Sequence, residues 1–251
     1  MLRLPGLDRL WSLTKGRAEV RIAVLDGPSD MASVAGLVPS GVIEHGTHVQ
    51  SIISGSADQI VPGLAPRCTV FSIPIFDPAM DAPAICTQAR LAEAIRTALG
   101  QRANIINISA AQEADTLSLS NDLSSALQDS FDSDVLVVAA AGNHGCACDT
   151  IPASVAGVLA VGAHDGEGAP LLSSNWGVGQ RAQGIIAPGS NVPGACARGF
   201  SGGLTRQDLF DPRNIACAAA CSRKAGLVAC LARCLATGEA CDGGIDNCDR
   251  V

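Results

Sequence analysis

The sequence predicts an α/β protein of three layers, a central parallel sheet with helices on both faces. Short apolar runs of strand length alternate with segments of helical spacing through most of the chain, the pattern that parallel βαβ units produce. Several runs end on a polar side chain, at Asp26, Ser109 and Asn143, as strands of an open sheet do where they carry functional groups. The chain has 251 residues, 47% of them hydrophobic and 16% charged, enough for one sizeable core.

Taken in order, residues 4–15 carry Leu7, Leu10, Trp11 and Leu13 at the spacing of a short amphipathic helix. Residues 20–27 read as a buried strand ending on Asp26-Gly27, and residues 28–41 as a surface loop rich in turn residues. In the stretch Val42-Ile43-Glu44-His45-Gly46-Thr47-His48 a histidine stands just ahead of a glycine, where the loop is expected to turn into a helix anchored by the apolar residues after it. Gly63-Leu64-Ala65-Pro66 is a turn, and residues 68–76 form a strand that ends or bends at Pro74. A helix over 87–100 carries Leu91, Ile95 and Leu99, and strand 104–109 follows. A helix over 119–131 leads into the strand 134–143, which ends on Asn143. The last strands cover 158–163 and 184–189, with Ser174-Asn175-Trp176-Gly177 in the loop between them. Past residue 195 the apolar periodicity weakens and cysteine becomes dense.

An aspartate, a histidine and an asparagine at element ends, in that order, suit acyl transfer. Asp26 would orient the imidazole, His45 would move the proton, and Asn143 would donate to a developing oxyanion. Taken alone, His45-Gly46-Thr47-His48 reads equally well as a helix start with two ordinary histidines. Glu44, His45 and His48 lack the spacing of a zinc helix, so no metal and no cofactor is expected. His48 reads as a packed, hydrogen-bonded residue; His144 and His164 read as solvated loop residues.

The formal net charge is −7, and no basic stripe or aromatic platform is present, which argues against a nucleic-acid partner. The longest apolar run, residues 135–141, is too short to span a bilayer, so no membrane association is expected. The start Met1-Leu2-Arg3-Leu4-Pro5-Gly6 lacks the layout of a secretion signal, and the expectation is a soluble, cytoplasmic protein. Of the 11 cysteines, Cys196, Cys217, Cys221, Cys230, Cys234, Cys241 and Cys248 fall in the last quarter. Buried, reduced thiols are the default for each. Cys146 and Cys148 either pair with Cys68 or Cys86 or brace their loop. The four-apart pairs Cys217/Cys221 and Cys230/Cys234 read either as a zinc site or helix hairpin or, more simply, as chance enrichment.

Read together, Leu25-Asp26-Gly27, His45-Gly46-Thr47-His48, Gly63-Leu64-Ala65-Pro66, Asn104-Ile105-Ile106-Asn107-Ile108-Ser109, Ala140-Ala141-Gly142-Asn143, Ser174-Asn175-Trp176-Gly177 and Ala187-Pro188-Gly189 resemble the subtilisin-like serine proteases, in family order over residues 20–190. Within them the chain looks most like the leader-removing branch of the cyanobactin maturation proteases. The finer likeness rests on Leu4-Pro5-Gly6-Leu7 with Leu10-Trp11, Val24-Leu25-Asp26-Gly27-Pro28, Ile73-Pro74-Ile75-Phe76, and Gly142-Asn143-His144-Gly145-Cys146-Ala147-Cys148 followed by Ile151-Pro152-Ala153. The absence of a long helical insertion after the His45 helix disfavours the macrocyclising branch.

The resemblance implies a subtilisin-like fold and a serine endopeptidase that cuts a ribosomal precursor peptide, with Asp26 and His45 as two thirds of a triad and Asn143 as oxyanion donor. It also implies one peptidase domain over residues 1–251, divided into a helical lead-in 1–19, a well-matched core 20–195 and a divergent cysteine-rich tail 196–251. Ser109 and its neighbours would line the substrate groove. The family's nucleophile register falls on Leu209. Two explanations compete: Ser201, between glycines but several residues early, serves instead, or the tail has diverged or been read in a shifted frame. The second is preferred, and on it the nucleophilic serine motif is not recognisable in the chain as it stands. The alternative functions are a degenerate fold that binds peptide without cutting it and a general scavenging subtilisin.

Overall fold

The computed structural model describes residues 6–29, 40–55, 61–76, 86–114, 118–190, 192 and 194–195, all within one compact unit. The tail 196–251, with Ser201, Leu209 and the two four-apart cysteine pairs, lies outside the described residues.

Six strands form the central sheet: β1 (Arg21–Asp26), β2 (Thr69–Pro74), β3 (Ile105–Ile108), β5 (Leu136–Ala140), β7 (Leu159–His164) and β8 (Gly184–Pro188), in the order β2-β1-β3-β5-β7-β8. Every pairing in it is parallel, the architecture expected from the alternation of strand and helix patterns. The register aligns Leu25 with Ile108 and Ile108 with Ala139, so Asp26 and the residues just past Ala140 emerge at the same, carboxyl edge. β1 and β5 flank β3, about 10 Å apart at the usual strand spacing.

One side chain in two along these strands builds the main core. Ala23 and Leu25 of β1, Ile106 and Ile108 of β3, and Val137 and Ala139 of β5 join one buried cluster. The helices α3 (Gln88–Gly100) and α4 (Asn121–Asp132) contribute Leu91, Ile95, Leu123 and Leu127 to it. The alternate residues of β1, Ile22 and Val24, point the other way and are also buried, so the sheet centre is covered on both faces. Both helices begin at the expected kind of residue: the Thr87 side chain accepts from the Arg90 N–H and that of Ser120 from the Leu123 N–H. Each such cap contributes about 1 kcal/mol.

Several boundaries move from their sequence-based positions, each for a local reason. The N-terminal helix, α1 (Leu7–Leu13), is shorter than residues 4–15: Gly6 enters it from a left-handed conformation and Thr14 leaves it extended. Its apolar stripe is only partly buried, with Leu7 inside, Leu13 79% exposed, and the Trp11 indole N–H donating to the Leu64 carbonyl at 3.0 Å. Strand β5 begins two residues later than predicted because Asp134 takes a left-handed φ of 56° after α4. Three short elements were not anticipated: the antiparallel pair β4 (Gln112–Glu113) and β6 (Thr150–Ile151), and helix α5 (Val178–Gln183).

The largest shift concerns α2 (Ser40–Ser54), which starts before His45 and carries it inside the helix. A mid-helix glycine disfavours helix, which is why the sequence places the start at Gly46. Tertiary packing overrides that cost, as the site geometry explains. At its other end, the Leu64 and Ala65 N–H groups donate to the Ile52 and Ile53 carbonyls at 2.8 Å each, satisfying acceptors that a helix C-terminus leaves open.

Candidate active site

Asp26 closes β1 with its side chain fully buried. A buried carboxylate is tolerable only when its oxygens are occupied, and here they are. The Gly27 N–H donates to Oδ1 at 2.6 Å, and His45 Nδ1 lies 2.7 Å from Oδ1 and 2.9 Å from Oδ2. The His45 side chain is 60% exposed, so one edge of the ring is tied to the sheet while the other meets solvent. The hydrogen bond that His45 donates to Asp26 raises the His45 pKa above the ordinary histidine value, with desolvation opposing and the carboxylate charge adding to the rise.

Gly46 makes this contact geometry available. A Cβ on Gly46 would lie 2.3 Å from the Gly27 carbonyl oxygen and 2.7 Å from that of Pro28. Only a residue without a side chain lets α2 come this close to the end of β1. Neighbouring His48 is half-buried; desolvation lowers its pKa, the His45 charge lowers it further, and Asp26 partly compensates. The chain beyond β8 returns to this helix: the Ala195 N–H donates to Ser51 Oγ at 2.7 Å, and a Cβ on Gly194 would meet the His48 ring at 2.6 Å.

Asn143 follows β5 and is exposed. Gly142 before it has φ +104°, a left-handed value that turns the chain off the strand. The loop after it is closed by a Cys146–Cys148 disulfide, so these cysteines brace the loop rather than reaching Cys68 or Cys86, which are free thiols. Beneath the loop lies a buried polar network that sequence reasoning missed. Gln180 Nε2 donates to the Ala141 carbonyl at 2.9 Å and to Thr150 Oγ1 at 2.8 Å, and Thr150 Oγ1 donates to the same carbonyl at 3.0 Å. Asp149 Oδ1 accepts from the Gly179 N–H at 3.0 Å. Thr150 and Gln180 fall in no motif of the sequence, and 30 residues separate them.

His144 is exposed in its loop, as read from the sequence, and its Nδ1 lies 3.4 Å from Glu113 Oε1, on the unanticipated β4. His164 is half-buried, with Nδ1 against the Asp165 carbonyl. Ser109 is half-buried at the end of β3 and its Oγ accepts from Asn107 Nδ2 at 3.0 Å. Among the described residues, no group of three or more His, Cys, Asp or Glu side chains is placed to hold a metal ion. No helix among them is long and apolar enough to cross a membrane.

The structure thus brings Asp26 and His45 into contact and puts Asn143 at the same edge of the sheet. A family model described as peptidase S8, subtilase family, matches residues 38–221. The chain belongs to the subtilase family. Among solved structures, it is 42% identical to the prenylagaramide maturation protease PagA, with a TM-score of 0.70 over 78% of this chain and 72% of that one. The self-cleaved protease domain of PatA is also 42% identical, with a TM-score of 0.64 over 72% of this chain and 71% of that one. The PatG macrocyclase in complex with peptide is 26% identical, with a TM-score of 0.68 over 78% and 73%. A curated relative, the thermophilic serine proteinase of Bacillus sp. (strain AK1), is 30% identical over 201 residues, 74% of this chain and 47% of its own length. The chain spans about half the length, or less, of the first curated subtilases it matches. Its fold is subtilisin-like, and its solved neighbours include cyanobactin maturation proteases.

Proposed function

We propose that this subtilase is a cytoplasmic serine-type endopeptidase that cleaves a ribosomal precursor peptide, in the manner of the leader-removing cyanobactin maturation proteases. Asp26 and His45 are its catalytic pair and Asn143 its oxyanion donor, within one peptidase domain over residues 1–251. The observation that carries the reading is the His45 imidazole held at Nδ1 by a fully buried carboxylate while most of the ring is open to solvent. The higher identity to PagA and PatA than to PatG supports the leader-removing branch over macrocyclisation.

The chemistry follows from that geometry. With Nδ1–H donated to Asp26, the neutral ring presents Nε2 as a base. Nε2 takes the proton of a serine hydroxyl as its oxygen bonds to the scissile carbonyl carbon, and returns a proton to the departing amine. Water then repeats the sequence and releases the acid. Asp26 fixes the tautomer and balances the imidazolium charge. The Asn143 amide donates to the carbonyl oxygen as it becomes an oxyanion. An extended substrate lies along the carboxyl edge of the sheet, beside Ser109.

Incubation of the full chain with a leader-bearing precursor peptide, read by mass spectrometry, tests this directly. One defined cleavage that disappears in His45→Ala is the expected result. Equal cleavage of unrelated peptides would overturn the maturation role. Tight binding of the precursor without any cleavage would replace the enzyme with a peptide-binding domain.

A further inference from the structure

The loop 142–146 and the segment 173–176 are joined by four hydrogen bonds donated by backbone N–H groups, and one residue makes the two that bracket Asn143. The Asn175 N–H donates to the Gly142 carbonyl at 3.1 Å. Asn175 Oδ1 accepts from the His144 N–H at 2.8 Å. The other two, Gly145 N–H to Ser173 O at 2.9 Å and Trp176 N–H to Cys146 O at 3.0 Å, lie further along the loop.

The placement of the first two is what matters. The Gly142 carbonyl belongs to the peptide plane preceding the Asn143 Cα, and the His144 N–H to the plane following it. Because each peptide unit is planar, holding both planes fixes φ and ψ of Asn143, and so fixes the direction of its Cα–Cβ bond. Asn143 is itself exposed, so nothing in a packed core orients it. Asn175, by contrast, is only 4% exposed.

The amide at 175 is poorly explained by stability alone. Its Nδ2 is buried with no hydrogen-bond partner among the described residues and lies where a Cβ on Gly142 would come within 2.5 Å. A buried donor left unpaired is unfavourable, and an apolar side chain of similar volume would avoid the penalty. The Oδ1 acceptor is what the amide supplies.

We propose that Asn175 is a positioning residue for the reaction, aiming the Asn143 carboxamide by clamping both peptide planes that flank it. The inference rests on the oxyanion role given to Asn143 above. A donor misplaced by a fraction of an ångström loses most of its advantage in the transition state and little in the ground state.

The test compares turnover of the precursor peptide by the wild-type chain, Asn175→Leu, Asn143→Ala and the double variant. Asn175→Leu is expected to lower kcat about 10-fold or more with KM within about 2-fold, while the melting temperature is unchanged or higher. In the Asn143→Ala background it should cause no further loss. A wild-type kcat in Asn175→Leu, or losses that multiply in the double variant, would overturn the proposal while leaving the Asn143 role intact. A wild-type kcat in Asn143→Ala, or no turnover by the wild type, would instead remove the role that Asn175 serves. Hydrogen exchange of the unmodified protein checks the clamp without any variant. The His144 amide should exchange about 10-fold or more slowly than in an unstructured peptide, and exchange at the free-peptide rate would contradict it.

Discussion

Gly46 and Gly27 meet backbone to backbone, with only 2.3 Å between the Gly27 carbonyl oxygen and the point where a Cβ on Gly46 would stand. This contact lets a helix carry His45 onto the end of a strand carrying Asp26. Gly46→Ala would force α2 away from β1. The expected cost is about 1–3 kcal/mol, the range for overpacking a close-packed site, read as a lowered denaturant midpoint at constant m-value. An alanine variant as stable as the parent would mean that the two backbones are not in contact.

The Asp26–His45 hydrogen bond fixes the direction of the pH dependence. A base must be neutral to accept a proton, and the His45 pKa is raised above 6.5. The acid limb of kcat/KM should therefore have its midpoint above pH 6.5 and move to lower pH in Asp26→Asn, which removes the charged acceptor. For stability the sign is opposite. The raised His45 pKa contributes stability that is fully present below the unfolded value and is lost as pH rises through the folded one. His48, lowered by burial, contributes stability present above its unfolded value and lost as pH falls through the folded one. An acid limb that does not move in Asp26→Asn would disconnect the two side chains.

Asn143→Ala removes the amide and leaves Asp26 and His45 themselves unchanged. Its kcat is expected to fall by about 100- to 1,000-fold, with KM near that of the wild type. A change confined to KM would reassign Asn143 to substrate binding.

Much of this site is legible in the chain, for an identifiable reason. Asp26 and Asn143 each end an apolar run, and His45 precedes a glycine, so a local pattern marks all three. The start of α2 was misplaced because Gly46 reads as a helix breaker until its long-range contact with Gly27 is known. The pair Gln112–Glu113 and Thr150–Ile151 is too short for any periodicity to register. The six-residue α5 escaped for the same reason. The Asn175 clamp and the Gln180–Thr150–Ala141 network join positions some 30 to 40 residues apart, and single-residue chemistry carries no record of such partners. Cys146 and Cys148 read from the sequence as bracing their loop in preference to reaching Cys68 or Cys86, and the disulfide between them does so.

Cys86 gives a check on the core that is independent of catalysis. It is buried, and desolvation pushes its thiol up to about 11. At pH 8 it should carry about 100-fold less thiolate than a thiol at the ordinary value of 9.0. Alkylation of native protein, mapped by peptide mass, should therefore modify half-exposed Cys68 well before Cys86. Equal rates would place Cys86 outside the core.

The central claim is that the Asp26–His45 pair activates a serine hydroxyl. Treating folded protein with a fluorophosphonate probe and mapping the labelled peptide tests it most directly and names the nucleophile. A single labelled serine in the wild type, with labelling lost in His45→Ala and strongly reduced in Asp26→Ala, is the expected result. Folded protein that takes up no label, or labelling that persists undiminished without His45, would contradict it.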